Sequence, residues 1–130
     1  MIVDSSVLVA ILIREPDADK FIDLIGQTGL CKIAAPTLLE TSIVLSARGG
    51  QEMLNFLDAY LRKADVTVLP FTADHALIAR QAFLRYGKGR HKAGLNFGDC
   101  IAYAAAKLEG MPLLFKGDDF ALTDVEAALV

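Results

Sequence analysis

Four carboxylates of this 130-residue chain stand where apolar runs end, and they give the first sign of chemistry. They are Asp4, Glu40, Asp99 and Asp118. An acid at the edge of a buried segment costs desolvation free energy unless a positive group neutralises it. Clustered carboxylates repel one another, and oxygen ligands favour Mg²⁺, with Mn²⁺ as the alternative, over zinc or copper. Because such an ion polarises a phosphate oxygen and activates a water, the acids predict a metal-dependent phosphodiester hydrolase.

Each acid also has a purely structural interpretation. Asp4 is a favoured residue for capping a helix, and Glu40 and Asp99 suit the first turn of a helix, where the helix dipole favours a negative charge. Asp118, or its neighbour Asp119, suits a turn. The metal hypothesis therefore depends on whether the surrounding elements bring the four acids together.

Short apolar segments alternate with amphipathic segments along the chain, which is typical of strands alternating with helices. We predict strands at residues 1–3, 32–35, 66–71 and 113–115. We predict helices at residues 5–13, 17–25, 36–45, 51–62, 73–83 and 97–108. Gly26 and the Gly49-Gly50 pair are predicted helix ends. Residues 125–130 fit either an edge strand or a short helix.

This alternation predicts a three-layer α/β/α fold with a central, mainly parallel sheet, because parallel strands need crossovers and helices supply them. Residues 1–130 are expected to form one domain. In such sheets ligands bind beyond the carboxyl ends of the strands. Asp4 and Asp118 directly follow predicted strands, and Glu40 and Asp99 begin predicted helices. All four acids are therefore expected at one end of the sheet.

Positive charge is concentrated in one segment, although the net charge of −3 argues against a purely electrostatic nucleic-acid binder. Glycines punctuate this segment, residues 85–94, and predict a flexible loop. Its cations are candidates for contacting RNA phosphates, with a merely solvated connection as the alternative. They are Arg85, Lys88, Arg90 and Lys92.

The remaining composition bears on location and assembly. The hydrophobic fraction of 54% is high for a chain of this size and favours an oligomer. No apolar run is long enough to span a bilayer, and the first residues lack the basic region of a secretory signal. Cys31 and Cys100 lack the clustering of a zinc site and are interpreted as buried thiols. We expect a cytoplasmic protein with no membrane partner.

Four short segments, in order, resemble the PIN-domain family, and within it the VapC toxins of bacterial type II toxin–antitoxin systems. They are Met1-Ile2-Val3-Asp4-Ser5-Ser6, Glu40 in its helix, Asn96-Phe97-Gly98-Asp99-Cys100, and Leu114-Phe115-Lys116-Gly117-Asp118-Asp119-Phe120. The resemblance covers essentially the whole chain. It implies a PIN-like fold and a Mg²⁺-dependent endoribonuclease toxin that cleaves cellular RNA, either tRNA or rRNA.

The resemblance also implies roles for individual residues. The family's acidic quartet is matched by Asp4, Glu40, Asp99 and Asp118. Asp4 and Asp99 would bind the metal directly, and the other two acids would act through waters or a second ion. Ser6 matches a small hydroxyl residue near the metal, and Asn96 matches a polar residue beside the third acid.

The fourth acid is the one departure from the family pattern, because two adjacent aspartates compete for its position. We favour Asp118, since it directly follows Gly117 at the strand exit. Asp119 is the alternative.

The resemblance further implies a homodimer and a cognate VapB-type antitoxin. The C-terminal segment of the antitoxin would cover the active site. It would lay an amphipathic helix into a groove on the helices of residues 36–62 and place an Arg near the acids.

Two other classes of protein remain open from the sequence. The first is another Mg²⁺-dependent phosphoryl-transfer hydrolase, either a phosphatase or a DNA nuclease. An aspartyl-phosphate phosphatase would need a second Asp two residues after Asp4, where this chain has Ser6. The second is a catalytically inactive binding module on the same fold, and the presence of all four acids argues against it.

Overall fold

A computed structural model of the chain describes residues 1–129. Its elements are β1 (Ile2–Val3), α1 (Ser5–Leu12), α2 (Ala18–Thr28), β2 (Cys31–Ala34), α3 (Ala35–Lys63), β3 (Val66–Leu69), α4 (Ala73–Tyr86), α5 (Phe97–Glu109), β4 (Leu113–Leu114) and a 3₁₀ turn (Phe120–Leu122). The alternation of strand and helix confirms the pattern predicted from hydropathy.

The strands form one parallel sheet in the order β3-β2-β1-β4. Successive strand residues face opposite sides, so each buried strand serves two cores. Ile2 and Leu113 pack with residues of α4 and α5 on one face. Val3 and Leu114 pack with residues of α1, α2 and α3 on the other face. The predicted three-layer α/β/α architecture is therefore confirmed.

Of the glycines predicted to end helices, only some do so in the structure. Gly26 lies inside α2, and the helix ends instead at Gly29, which has a left-handed φ of 69°. The break expected at Gly49-Gly50 is present, because α3 consists of two helical segments that meet at a kink at Gly50, where φ is 63° and ψ is −149°. That conformation is essentially restricted to glycine, so Gly50 bends the helix.

The C-terminal tail adds strand-like pairing to the edge of the sheet. Ala127 forms an isolated parallel bridge with Leu113. The backbone N–H of Leu113 donates to Glu126 O at 2.8 Å, and that of Ala128 donates to Leu113 O at 2.9 Å. These contacts favour the edge-strand alternative, although Val130 lies outside the described residues.

The basic segment is a closed loop rather than an open connection. The backbone N–H of Lys88 donates to Leu95 O at 2.9 Å, and the N–H of Leu95 donates to Tyr86 O at 3.0 Å. The same bonds hold the last turn of α4 next to the start of α5. The loop is therefore tied at both ends, to the last turn of α4 and to the start of α5, the helix that carries Asp99.

Two further expectations concern the class of protein. Both cysteines, Cys31 and Cys100, are buried and have free thiols, as predicted. No helix within residues 1–129 combines the length and the apolar character needed to cross a membrane.

Candidate active site

Asp4 directly follows β1 and is the N-cap of α1. Its Oδ2 accepts hydrogen bonds from the backbone N–H of Ser6 at 3.1 Å and from Ser6 Oγ at 2.6 Å. The structural interpretation of Asp4 as a helix cap is therefore correct. It does not exclude a metal role, because neither bond uses Oδ1.

Burial controls the electrostatics of Asp4, whose exposed fraction is 4%. Loss of hydration raises the pKa of its carboxyl, the hydrogen bonds from Ser6 lower it in part, and the negative charge of Glu40 raises it again. An ionised Asp4 is thus a buried charge that hydrogen bonds compensate only in part and that a cation would stabilise.

Asp99 is the third residue of α5 and forms a reciprocal capping box with Asn96. The backbone N–H of Asp99 donates to Asn96 Oδ1 at 2.9 Å, and the backbone N–H of Asn96 donates to Asp99 Oδ2 at 3.0 Å. Asn96 is therefore occupied as a helix cap. Here too the capping bond leaves the second carboxylate oxygen, Oδ1, free of that contact.

The pKa of Asp99 is raised by its surroundings. Burial raises this pKa, the hydrogen bond from the Asn96 backbone lowers it, and the charges of Asp4 and Asp119 raise it again. Asp99 thus lies within electrostatic range of an acid after β1 and an acid after β4, at the carboxyl edge of the sheet. The charge of Asp119, one of the two adjacent aspartates, contributes to this raised pKa.

Glu40 reaches this edge from the beginning of α3 by packing against Gly98. A Cβ at Gly98 would lie 2.3 Å from Glu40 Oε2 and 2.8 Å from Oε1. Only the bare Cα of glycine leaves space for the carboxylate at this point. Gly98 therefore leaves a space, here called the cradle, that holds the Glu40 carboxylate. Asp99 is the residue that follows Gly98, so Glu40 lies close to it.

The donor chemistry at this edge fits a hard divalent cation. The acids near this edge are carboxylates, and the pKa values of Asp4 and Asp99 are raised mainly because burial removes hydration from their charged forms. Within residues 1–129, no three acidic, His or Cys side chains lie close enough to form a complete metal cluster. Mg²⁺ commonly uses only one or two protein carboxylates and keeps several waters, so this looser arrangement suits Mg²⁺ better than zinc.

We expect the metal-free protein to lose thermal stability as the pH rises above the ordinary aspartate value. The folded-state pKa values of Asp4 and Asp99 are raised above 3.8, the value that we take for the unfolded chain. Their contribution to stability is therefore fully present below pH 3.8 and is lost as the pH rises through the raised pKa values. Mg²⁺ binds the ionised carboxylates, so its stabilising effect should grow over the same window.

Melting temperatures of the wild type and of the double variant Asp4→Asn/Asp99→Asn, each with and without Mg²⁺, measure this effect. The double variant should lack both the extra pH dependence and the Mg²⁺ response. Equal Mg²⁺-induced shifts at low and neutral pH would contradict the expectation.

The cations of the basic loop differ in how far they are neutralised. Arg85 lies 3.7 Å from an oxygen of Asp124 and stacks over the Tyr86 ring at 4.7 Å. Lys88, Arg90 and Lys92 are exposed, and none of the three forms an ion pair with another residue of the described chain. These three cations are the ones available to an anionic ligand.

Two contacts at the site were not found from the sequence. Gly98 belongs to the motif of residues 96–100, but its contact with Glu40 depends on the packing of α5 against α3. A sequence signal does exist, because glycine in the first turn of a helix costs stability and calls for a reason. The second contact joins the backbone N–H of Lys116 to Ser6 Oγ at 3.0 Å. No local pattern reveals a pair separated by 110 residues.

The comparisons with known proteins agree with this architecture. The PIN domain family matches residues 1–126. Ribonuclease VapC of Mycolicibacterium smegmatis is 48% identical over 127 residues, which are 98% of this chain and 98% of the relative. The chain belongs to the PIN-domain family, and within it to the VapC ribonucleases.

Solved structures extend the likeness to the fold. The crystal structure of Mycobacterium tuberculosis VapC20, a sarcin–ricin loop cleaving toxin, has a TM-score of 0.78 at 19% identity and covers 95% of each chain. The structure of VapBC2 from Rickettsia felis, bound to a DNA fragment from their promoter, has a TM-score of 0.74 at 15% identity and covers 97% of this chain and 94% of the other. At these identities the likeness concerns the fold alone.

Proposed function

We propose that this VapC ribonuclease is a Mg²⁺-dependent endoribonuclease that acts as the toxin of a VapBC-type system in the cytoplasm, with Mn²⁺ as the alternative ion. The observation that carries the proposal is the placement of acids at this edge: Asp4 is buried directly after β1, and Glu40 packs against Gly98, the residue before Asp99. Structured cellular RNA is the substrate class, and tRNA and rRNA are the substrates to test. A toxin that arrests growth by cutting such RNA needs no other cofactor.

In this mechanism the acids bind the ion, and neighbouring residues orient the acids. Asp4 and Asp99 would bind the ion through the oxygens that their caps leave free. The hydroxyl of Ser6 orients Asp4 through a hydrogen bond. Gly98, which has no side chain, leaves room for the carboxylate of Glu40. When bound, Mg²⁺ stabilises negative charge on a phosphate and lowers the pKa of a water. Glu40 is placed to accept a proton or to order waters around the ion.

We place Asp119, rather than the initially favoured Asp118, as the fourth acid of the site. The charge of Asp119 contributes to the raised pKa of Asp99, and this contribution favours Asp119 for the role. Gly117 has a φ of 103°, a conformation that turns the chain at this exit. Asp118 would then act only as a turn residue.

Cleavage assays separate this function from its runner-up. The protein should cut structured RNA with Mg²⁺, should stop when the ion is chelated, and should release no phosphate from a small phosphomonoester. Phosphomonoester turnover without RNA cleavage would favour a phosphatase, and cleavage of DNA in place of RNA would favour a DNA nuclease. No turnover of any of these substrates would favour an inactive binding module.

We expect the triple variant Lys88→Gln/Arg90→Gln/Lys92→Gln to bind RNA more weakly without a change in kcat. Each phosphate contact contributes about one unit to the slope of log affinity against log salt, so the slope should fall by about two to three units. Cleavage kinetics at several salt concentrations measure both quantities. The matched control is Lys20→Gln/Arg62→Gln/Lys63→Gln, which removes three exposed cations elsewhere. Equal losses in both variants would contradict a specific role for the loop.

We propose a homodimer that covers an apolar face beside the acids. Leu39, Ile43 and Phe97 have exposed fractions of 62%, 60% and 83%. They border grooves of about 410 and 470 Å³ that share Pro36, Phe97 and Ile101. An exposed apolar face of this kind is typical of an interface. Glu40 and Gly98 line the first groove, so a second copy would also wall the active site.

The dimer is expected to dissociate in the variant Ile43→Glu, because a charge placed in an apolar contact loses its hydration. Light scattering should give twice the 14.0 kDa chain mass for the wild type and the single mass for the variant. The control Leu30→Glu changes an exposed leucine that precedes β2, at the other end of the sheet. A wild type of single mass at every concentration would contradict the proposal.

A VapB-type antitoxin is proposed for a third groove. This groove, about 790 Å³ in volume, lies between α1, α2 and the second half of α3. Its apolar walls are formed by Ile11, Leu12, Ile22, Met53 and Phe56. The exposed Phe56 and Ile22 suit the apolar face of an amphipathic helix. A neighbouring reading frame for a short DNA-binding protein would support this partner.

A further inference from the structure

Lys116 connects three parts of the molecule that are far apart in the sequence. It lies two residues after β4, and its backbone N–H donates to Ser6 Oγ at 3.0 Å. Ser6 Oγ in turn donates to Asp4 Oδ2 at 2.6 Å. Since a hydroxyl has one hydrogen, the N–H of Lys116 sets the rotation of the Ser6 hydroxyl so that its hydrogen points to Asp4.

The side chain of Lys116 fixes the position of that backbone N–H. Its Nζ donates to a carboxylate oxygen of Glu15 and to Asp17 Oδ1, the latter at 3.1 Å. Both acids belong to the segment between α1 and α2. This segment is itself anchored, because the backbone N–H of Glu15 donates to Ala10 O at 2.9 Å and Arg14 takes a left-handed φ of 59°.

We propose that Lys116 is a positioning residue of the acidic site. By binding Glu15 and Asp17 it holds the peptide whose N–H orients Ser6, and through Ser6 it holds the carboxylate of Asp4 ready for the ion. This inference rests on the proposed metal-dependent function. The role is positional, because the Lys116 ammonium bonds acids outside the quartet and the link to Asp4 runs through Ser6.

The exposure of the ion pairs makes the proposal testable. The side chains of Lys116 and Asp17 are 36% and 30% exposed, so these pairs contribute little to the free energy of unfolding. The variant Lys116→Met keeps the backbone N–H and the stem length and removes only the ammonium. Its melting temperature without metal should stay close to that of the wild type.

Titration calorimetry with Mn²⁺ alone tests the role directly. Lys116→Met should bind Mn²⁺ about tenfold more weakly, because groups that orient metal ligands typically affect affinity by this order. Lys116→Arg keeps a cation for the two acids and should restore binding. In a Ser6→Ala background, Lys116→Met should cause no further loss, since residues that act through one another are not additive.

The matched control is Lys107→Met. Lys107 is 40% exposed and pairs with Asp124 at 3.2 Å, on the opposite face of the sheet from Glu15, so its loss should leave Mn²⁺ binding unchanged. Wild-type affinity in Lys116→Met, or an equal loss in the presence and absence of Ser6, would overturn the role of Lys116 and leave the proposed function standing. A wild type that binds no Mn²⁺ would overturn both.

Discussion

Asp4→Asn is expected to reduce RNA cleavage more than 100-fold while leaving the fold intact. Residues that only orient metal ligands cost about 10–100-fold when changed, and Asp4 is proposed to bind the ion itself. The fold should survive because asparagine is as good an N-cap as aspartate and can keep the bond from the Ser6 backbone. Cleavage rates on one structured RNA, measured at saturating Mg²⁺, give the result.

The same variant should change stability in a direction that distinguishes a metal site from a structural cap. Burial raises the pKa of Asp4, so its charge destabilises the metal-free fold at neutral pH, and removing that charge should raise the melting temperature. Added Mg²⁺ should stabilise the wild type and not the variant. Asp23→Asn, on the exposed side of α2, is the control. Wild-type cleavage by Asp4→Asn would end the proposed mechanism.

Gly98→Ala is expected to lower cleavage about 10–100-fold without loss of stability. The new Cβ would lie 2.3 Å from Glu40 Oε2, so the carboxylate must move out of the site. This movement is inexpensive for folding, because the atom displaced is the far end of a flexible side chain. Alanine also suits the first turn of α5 better than glycine, by up to about 1 kcal/mol.

The control for this variant is Gly26→Ala, inside α2, where a Cβ would meet nothing within 4 Å. Both variants gain helix propensity, and only Gly98→Ala touches the acids. Melting temperature and the Mg²⁺ concentration for half-maximal cleavage should be measured for both. The cradle interpretation fails if Gly98→Ala cleaves like the wild type with an unchanged Mg²⁺ requirement.

The sequence was sufficient for the layer order and for placing Asp4 directly after β1 and Asp99 in the first turn of α5, because both follow from local patterns. Apolar runs followed by acids mark strand exits, and Asp4 and Asp99 lie where that pattern predicts. Both side chains also make capping hydrogen bonds, so the structural interpretation is correct for them, and the metal role is a proposal. A helix-capping role therefore does not exclude a metal-binding role for the same residue.

What the sequence could not give depends on tertiary contact. The choice between Asp118 and Asp119 depends on how the turn after Gly117 directs each side chain, and the local sequence does not determine this. From the sequence, Gly26 and Gly29 are both suitable ends for α2. Packing of α2 decides that the helix ends at Gly29. The link from Lys116 to Ser6 requires β4 to pair with β1, so that the start of α1 meets the chain after β4, and no window of residues encodes this pairing.

The most direct test of the metal site is anomalous scattering from a crystal of the wild type soaked in Mn²⁺. A peak with Asp4 and Asp99 carboxylate oxygens as protein ligands, at about 2.0–2.2 Å, is the predicted result, with Glu40 and Asp119 reached through waters. The account is contradicted if an enzyme that cleaves RNA with Mn²⁺ shows no peak at this edge, or binds the ion at other residues.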